Sequence, residues 1–100
     1  MITGKQRAYL RKIAQNLSPN FQIGKEGVTQ SVVDALDEAL ERREIVKVHI
    51  LETAFIDTRE TCDELAKLMG AEPVQAIGNK FTLYRQSSTP KYRNIEIPKR

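Results

Sequence analysis

The spacing of apolar residues alternates along this chain between the helical repeat of three to four residues and the two-residue repeat of a strand. Helical spacing predicts three helices: one beginning at Thr3, one over residues 30–43 after the N-cap Thr29, and one after Asp57. Short apolar runs predict strands over 21–23, 44–51, 73–77 and 81–85. This order predicts an α/β fold of the α+β type, in two layers. Its element order is helix-strand-helix-strand-helix-strand-strand, with the helices packed on a mixed four-stranded sheet.

Local signals fix several ends of these elements. Thr3 is followed three residues later by Gln6, which is the spacing of a capping box, and Pro19 ends the first helix. Gly70 is expected to stop the third helix in a left-handed conformation. The last two strands flank Gly78-Asn79-Lys80, which predicts a hairpin closed by a three-residue loop.

Length and composition indicate one domain. The chain has 100 residues, 40% of them hydrophobic, which suffices for a single core. We assign residues 1–86 to this domain and residues 87–100 to a loosely attached, basic and polar tail. Within this tail, Ile95 and Ile97 could form a short edge strand.

Several classes of protein are excluded by what the sequence lacks. Cys62 is the single cysteine, so neither an internal disulfide nor a cysteine-based zinc site is expected. The single histidine, His49, lies within a predicted strand, and no nucleophile with a base beside it can be identified. We therefore predict no catalytic residue, no metal and no cofactor. No signal peptide or long apolar run is present, so a cytoplasmic protein without membrane contact is expected.

A glycine-containing loop, Gly24-Lys25-Glu26-Gly27, joins the first strand to the second helix. The lysine follows the first glycine, whereas a nucleotide-binding P-loop has it after the second, and the third glycine of a dinucleotide fingerprint is missing. Two readings remain open. The loop is either an ordinary strand-to-helix turn or a cradle for a nucleic-acid phosphate like the GxxG loop of KH domains.

The distribution of positive charge favours the second reading. The first helix carries Lys5, Arg7, Arg11 and Lys12 away from its apolar stripe and has no acid among them. Lys80 and Arg85 stand at the two ends of the last strand. Because exposed helix faces usually mix charges of both signs, such segregated positive charge points to contact with RNA or DNA.

Four segments together resemble a known family. "TGKQRAYLRKIAQ", "IGKEGVT", "ALERREIVKVHI" and "VQAIGNKFTLYR" are similar, in matching order over residues 2–86, to the bacterial YhbY/YqeI family. Its members are free-standing versions of the chloroplast RNA-splicing and ribosome-maturation (CRM) domain. The resemblance implies a fold like the C-terminal domain of a translation initiation factor. It also implies RNA binding in association with precursors of the large ribosomal subunit.

The resemblance also implies site residues. The family's GxxG loop falls on Gly24, Lys25, Glu26 and Gly27, and its basic helix on Lys5, Arg7, Arg11 and Lys12. Its second glycine turn and the strand after it fall on Gly78, Asn79 and Lys80, then on Leu83, Tyr84 and Arg85. We expect Glu26 to point to solvent and Lys25 to face the bound RNA.

A second hypothesis is a protein-interaction adaptor. The exposed face of the second predicted helix carries Asp34, Asp37, Glu38 and Glu41, which could dock on ribosomal proteins or another assembly factor. No small-molecule substrate is expected under either hypothesis.

Overall fold

The computed structural model describes residues 2–93 and residue 95. The helices are α1 (Gly4–Gln15), α2 (Gln30–Arg43) and α3 (Thr58–Met69), and the strands are β1 (Phe21–Ile23), β2 (Ile45–Ile50), β3 (Glu72–Ile77) and β4 (Lys80–Tyr84). Two short 3₁₀ helices, Glu52–Ala54 and Pro90–Tyr92, complete the fold. The predicted order of helices and strands is confirmed.

The predicted helix caps are present. Thr3 and Gln6 form a reciprocal capping box at the start of α1, and the side chain of Thr29 accepts a hydrogen bond from the backbone of Val32 in α2. Asp57 caps α3, and Gly70 ends that helix with φ of 62°. Short polar side chains at these positions satisfy amide groups that have no partner within the helix.

Two boundaries differ from prediction. Glu44 ends α2 in the left-handed conformation, with φ of 69°, and so does not begin β2. Lys80 pairs with Ile77 as the first residue of β4, which leaves a two-residue turn of Gly78 and Asn79. Gly78 has φ of 60°, as the first turn residue of a type II′ hairpin requires.

The sheet has the strand order β1-β2-β4-β3. β1 runs parallel to β2, while β4 runs antiparallel to both β2 and β3. The predicted mixed four-stranded sheet is thus confirmed. β1 and β3 are its two edges, about 14 Å apart at the usual spacing between strands.

The helices cover both faces of the sheet. Val46, Val48, Phe81 and Leu83 belong to the larger core, which lies under α2 and α3. Their neighbours Ile45 and Tyr84 point to the opposite face, where they form a second cluster with Leu10 of α1. The two-layer description therefore fits α2 and α3 on the sheet, and α1 adds a layer on the other side.

Cys62 lies in the larger core, at 1% exposure. Burial, followed by the charge of Asp63, raises the pKa of its thiol to about 12. Since the thiolate is the reactive form, Cys62 should resist alkylation by iodoacetamide at neutral pH as long as the protein stays folded. Mass spectrometry of native and urea-treated samples tests this. Equal alkylation rates in the two samples would contradict the burial.

The segment after β4 packs against α2 through two glutamates. The Glu41 carboxylate accepts hydrogen bonds from the hydroxyls of Ser87, Ser88 and Thr89 and from the amides of Ser88 and Thr89. Glu44 is fully buried and accepts from the Ser87 amide at 2.8 Å. Residues 87–89 are thus tied to the domain more firmly than their composition suggests. Ile95 packs on the cluster around Leu10, whereas Ile97 lies outside the described residues.

These hydrogen bonds make the segment sensitive to acid. Those from the side chain and backbone of Ser88, with others from Ser87 and Thr89, lower the pKa of Glu41 from 4.5 to about 2. A pKa that is lower in the folded state contributes stability above pH 4.5, and this contribution disappears as the pH falls toward 2. Urea unfolding should therefore show Glu41→Gln less stable than the parent at neutral pH, with the gap closing near pH 2. A gap independent of pH would contradict this.

Candidate nucleic-acid interface

The loop Gly24–Gly27 is a tight turn directly after β1. The Gly27 amide donates to the Gly24 carbonyl at 2.9 Å, and Gly27 has φ of 69°, a conformation that side chains disfavour. Lys25 and Glu26, at the tip, are both exposed. Neither forms a salt bridge among the described residues. The turn thus presents a lysine and its own backbone to solvent.

Two backbone hydrogen bonds place this loop beside the hairpin turn. Leu51, just after β2, donates to the carbonyl of Ile23 at the end of β1, and Ile50 donates to the carbonyl of Asn79. The loop and the turn therefore flank the same end of β2. Lys25 and Lys80 are brought to this one end of the sheet.

A polar row crosses the sheet at the same end. His49 pairs with Gln22 on one side and with Lys80 on the other. Because side chains alternate along β2, His49 lies on the face that also carries Lys47 and α1. α1 covers the opposite end of this face, where Ile45 and Tyr84 are buried.

Arg7 and Arg11 of α1 reach the edge strand β3. The Nε of Arg7 donates to the carbonyl of Pro73 at 3.2 Å, and the Nε of Arg11 donates to the carbonyl of Val74 at 3.3 Å. Both arginines line a cavity of about 200 Å³ together with Arg59 and Asp63 of α3. With each Nε occupied, the terminal guanidinium nitrogens are the donors left to face this cavity.

Lys5 and Lys12 occupy a different side of α1. They are seven residues apart and therefore lie nearly above one another, about 100° or more around the helix from Arg7 and Arg11. Both are exposed. The basic helix predicted from the sequence thus divides into an arginine pair on the sheet edge and a lysine pair on the outer surface.

A second cavity, of about 270 Å³, lies beside the hairpin on the α1 side of the sheet. Its lining residues are Gln15, Lys47, Gln75, Ile77, Lys80 and Thr82. Gln75 also lines the arginine cavity, so the two cavities lie next to each other. The hydroxyl of Thr82 is buried there and has no hydrogen-bond partner within residues 2–93 and 95. These two adjoining cavities, called the furrow below, extend from the edge strand β3 to Lys80.

Arg85 does not join this surface. It follows β4 at the end opposite the hairpin, and its Nη1 donates to the Asp37 carboxylate at 2.7 Å and to the carbonyl of Met69 at 3.0 Å. Its side chain is 20% exposed. The charge of Arg85 is thus used within the fold, to join α2 to the end of α3.

The acidic face of α2 is also partly used within the fold. Asp37 pairs with Arg85, and Glu41 holds residues 87–89. Asp34 accepts a hydrogen bond from Gln30, and Glu38 lies 3.9 Å from Arg42. Within the described part of the chain, no group of three or more His, Cys, Asp or Glu side chains could hold a metal ion. No helix in that part is both long and apolar enough to cross a membrane.

Comparison with known proteins identifies the family of this chain. The profile of the CRS1/YhbY (CRM) domain matches residues 2–85. The chain belongs to the CRM domain family. This confirms the resemblance drawn from the sequence, which rested on the first helix, the glycine loop, the end of α2 with β2, and the last hairpin.

Individual CRM relatives match over nearly their whole length. "Probable RNA-binding protein YqeI" of Bacillus subtilis is 41% identical over 98 residues, covering 98% of this chain and 100% of the relative. An "RNA-binding protein" of Haemophilus influenzae is 27% identical over 99 residues, covering 99% and 97%. The solution structure of the hypothetical protein SAV1595 from Staphylococcus aureus has a TM-score of 0.80 at 42% identity, covering 98% and 100%.

Sequence reasoning missed part of this surface. Arg59 lies in the first turn of α3 between Asp57 and Glu60, and Gln75 and Thr82 lie in strands. The spacing of these three residues therefore does not indicate an RNA-binding role. Lys47 lies on the face of β2 that α1 crosses, and its Nζ donates to the carbonyls of Ala14 and Leu17 at the end of α1. Only the crossing of α1 over the sheet brings these residues together.

Proposed function

We propose that this CRM protein binds single-stranded regions of RNA without performing catalysis. Its phosphate contacts come from the Gly24–Gly27 loop, Lys80 and the cations of α1. The observation that carries the proposal is the placement of the loop beside the hairpin turn, which sets Lys25 and Lys80 at one end of the sheet. Glycines allow close approach of a phosphate, and free amides and lysines attract it.

The furrow on the α1 side extends this binding surface. A strand held at the loop can cross the row of Gln22, His49 and Lys80 and continue toward Arg7 and Arg11. Lys5 and Lys12 then contribute long-range attraction from the outer side of α1. Arg85 is left out, because its guanidinium is bound to Asp37.

We further propose that the bound RNA is ribosomal RNA in precursors of the large subunit, in the cytoplasm. This rests on CRM family membership and on the RNA-binding names of the two bacterial relatives. The proposed path is lined by groups that bind phosphates in any sequence, which suits recognition of RNA shape.

Salt dependence tests the phosphate contacts. If Lys25, Lys80, Arg7 and Arg11 each neutralise one phosphate of a single strand, log affinity should fall by about 3 for a tenfold rise in salt, at roughly 0.7 per contact. Fluorescence anisotropy with a labelled rRNA fragment measures the slope. A slope near zero would contradict phosphate binding by this surface.

Co-sedimentation from cell extracts tests the partner. The protein is expected to sediment with large-subunit precursors and to be released by ribonuclease, and crosslinking followed by sequencing would identify the attached RNA. Sedimentation that survives complete digestion would favour the adaptor hypothesis, in which a protein docks on α2. The pairing of Asp37 with Arg85 already argues against such docking.

A further inference from the structure

Phe55 combines two features that each cost free energy. Its ring is 92% exposed, the largest fraction among the exposed large apolar residues within the described ranges. Its backbone also adopts the left-handed conformation, with φ of 53°. Left-handed backbone is strained in bulky residues, and exposed aromatic surface is unfavourable in water.

Within residues 2–93 and 95, no core cluster includes the Phe55 ring, although its left-handed backbone ends a 3₁₀ helix. Phe55 belongs to neither core cluster, whereas its neighbours Ala54 and Ile56 both pack against the larger one. Glycine or asparagine at this position would relieve the backbone, and a polar side chain would remove the exposed surface. Backbone strain at an exposed ring is a reason to look for a ligand.

The position of Phe55 identifies the kind of ligand. It ends the 3₁₀ helix Glu52–Ala54, whose first hydrogen bond joins the Ala54 amide to the Leu51 carbonyl at 3.0 Å. Leu51 also bonds to Ile23, and its side chain lies 3.8 Å from where a Cβ on Gly24 would stand. Leu51 thus links the 3₁₀ helix that Phe55 ends to the Gly24–Gly27 loop, at one end of the sheet.

We propose that Phe55 is a stacking platform for one unpaired nucleobase of an RNA whose neighbouring phosphate is held at the Gly24–Gly27 loop. This inference rests on the proposed function and adds a base contact to it. Every base has an aromatic face, so stacking on a phenyl ring binds single strands with little dependence on sequence. Glu52, exposed on the same 3₁₀ helix, repels phosphates but not a neutral base.

A nucleobase fits this site better than a protein partner does. Next to Phe55 in the chain, Glu52 and Thr53 are exposed and polar, Ala54 is buried and Ile56 is half-buried, so the exposed apolar surface of this segment is essentially one ring. Protein interfaces need a larger contiguous patch around an aromatic anchor. A single base needs one ring next to a phosphate site.

A tryptophan reporter tests the stacking directly. The chain contains no tryptophan, so Phe55→Trp introduces a single fluorophore at the proposed platform. Single-stranded oligouridine or oligoadenine should quench its fluorescence on binding, because the indole stacks on a base. Leu68→Trp is the control, since Leu68 is 66% exposed near the opposite end of α3. Equal quenching at both positions, or none at Phe55→Trp during demonstrated binding, would overturn the proposal.

A second variant separates binding from folding. Phe55→Asn relieves the left-handed backbone, so its urea midpoint should equal or exceed that of the parent. Its affinity for the same oligonucleotides should fall about fivefold to a hundredfold, the usual effect of losing one stacked base. Unchanged affinity would overturn the stacking proposal, as would a loss explained by unfolding.

The same titrations distinguish this inference from the function on which it rests. If Lys25→Glu weakens binding and Phe55→Asn does not, the phosphate site stands and the platform is refuted. If the parent protein itself binds no RNA, both fail. If Phe55→Asn instead abolishes capture of a protein partner that survives ribonuclease, the ring serves a protein interface and the platform is refuted.

Discussion

Replacing Lys25 by glutamate is expected to weaken RNA binding about tenfold to a hundredfold. The change removes one charge-assisted contact, worth roughly 1.5–3 kcal/mol, and adds repulsion to a phosphate at the same point. Since phosphate contacts carry no sequence information, the loss should be similar for all single-stranded RNAs tested. The fold should not change, because Lys25 is exposed and outside both core clusters.

Lys67→Glu is the matched control for this variant. It makes the same change in net charge at another exposed lysine, on α3. Anisotropy titrations at low salt should therefore show a small loss for Lys67→Glu and a large one for Lys25→Glu. Equal losses would mean that net charge alone governs binding, and no loss at Lys25 would exclude the loop.

Replacing Glu44 by alanine is expected to lower the free energy of unfolding by about 3 kcal/mol. The carboxylate is fully buried and accepts hydrogen bonds from the amides of Ser87 at 2.8 Å and Ile95 at 3.2 Å. Alanine cannot accept either, and each buried unsatisfied donor costs about 1–3 kcal/mol. A domain of this size has only about 5–15 kcal/mol of stability in total, so the effect should be large in urea unfolding.

Glu44→Gln separates hydrogen bonding from charge. Its amide oxygen can still accept a hydrogen bond, so it should lose clearly less stability than Glu44→Ala. Arg42→Ala, one turn from Glu38 on the exposed face of α2, should be nearly neutral. Equal losses for Glu44→Ala and Glu44→Gln would show that the buried charge, and not the acceptor oxygen, holds the segment.

Local sequence signals predicted the elements because their causes are local. Thr3 with Gln6, Thr29, Asp57 and Gly70 act within one helical turn, and all four ends lie where these residues place them. The alternation of Val46, Val48 and Ile50 in β2 is also a local signal, and all three residues are buried. The family could be recognised because its motifs combine such local signals with the glycine loop in a fixed order.

Long-range placement could not be predicted in the same way. An apolar stripe shows which side of α1 is buried, but not which face of the sheet buries it. Positive charge at Arg85 says nothing of Asp37, which is 48 residues away in sequence. Tyr84 shows the same limit: its position in the strand does not reveal that α1 covers it and leaves it only 4% exposed.

Amide chemical-shift mapping of the protein titrated with a single-stranded rRNA fragment tests the central claim most directly. The claim predicts shifts at Gly24–Gly27, at Gly78–Lys80 and along the furrow through Gln75, while the exposed face of α2 stays unchanged. Shifts confined to α2 and residues 87–89, with no shift in the Gly24–Gly27 loop, would contradict this claim.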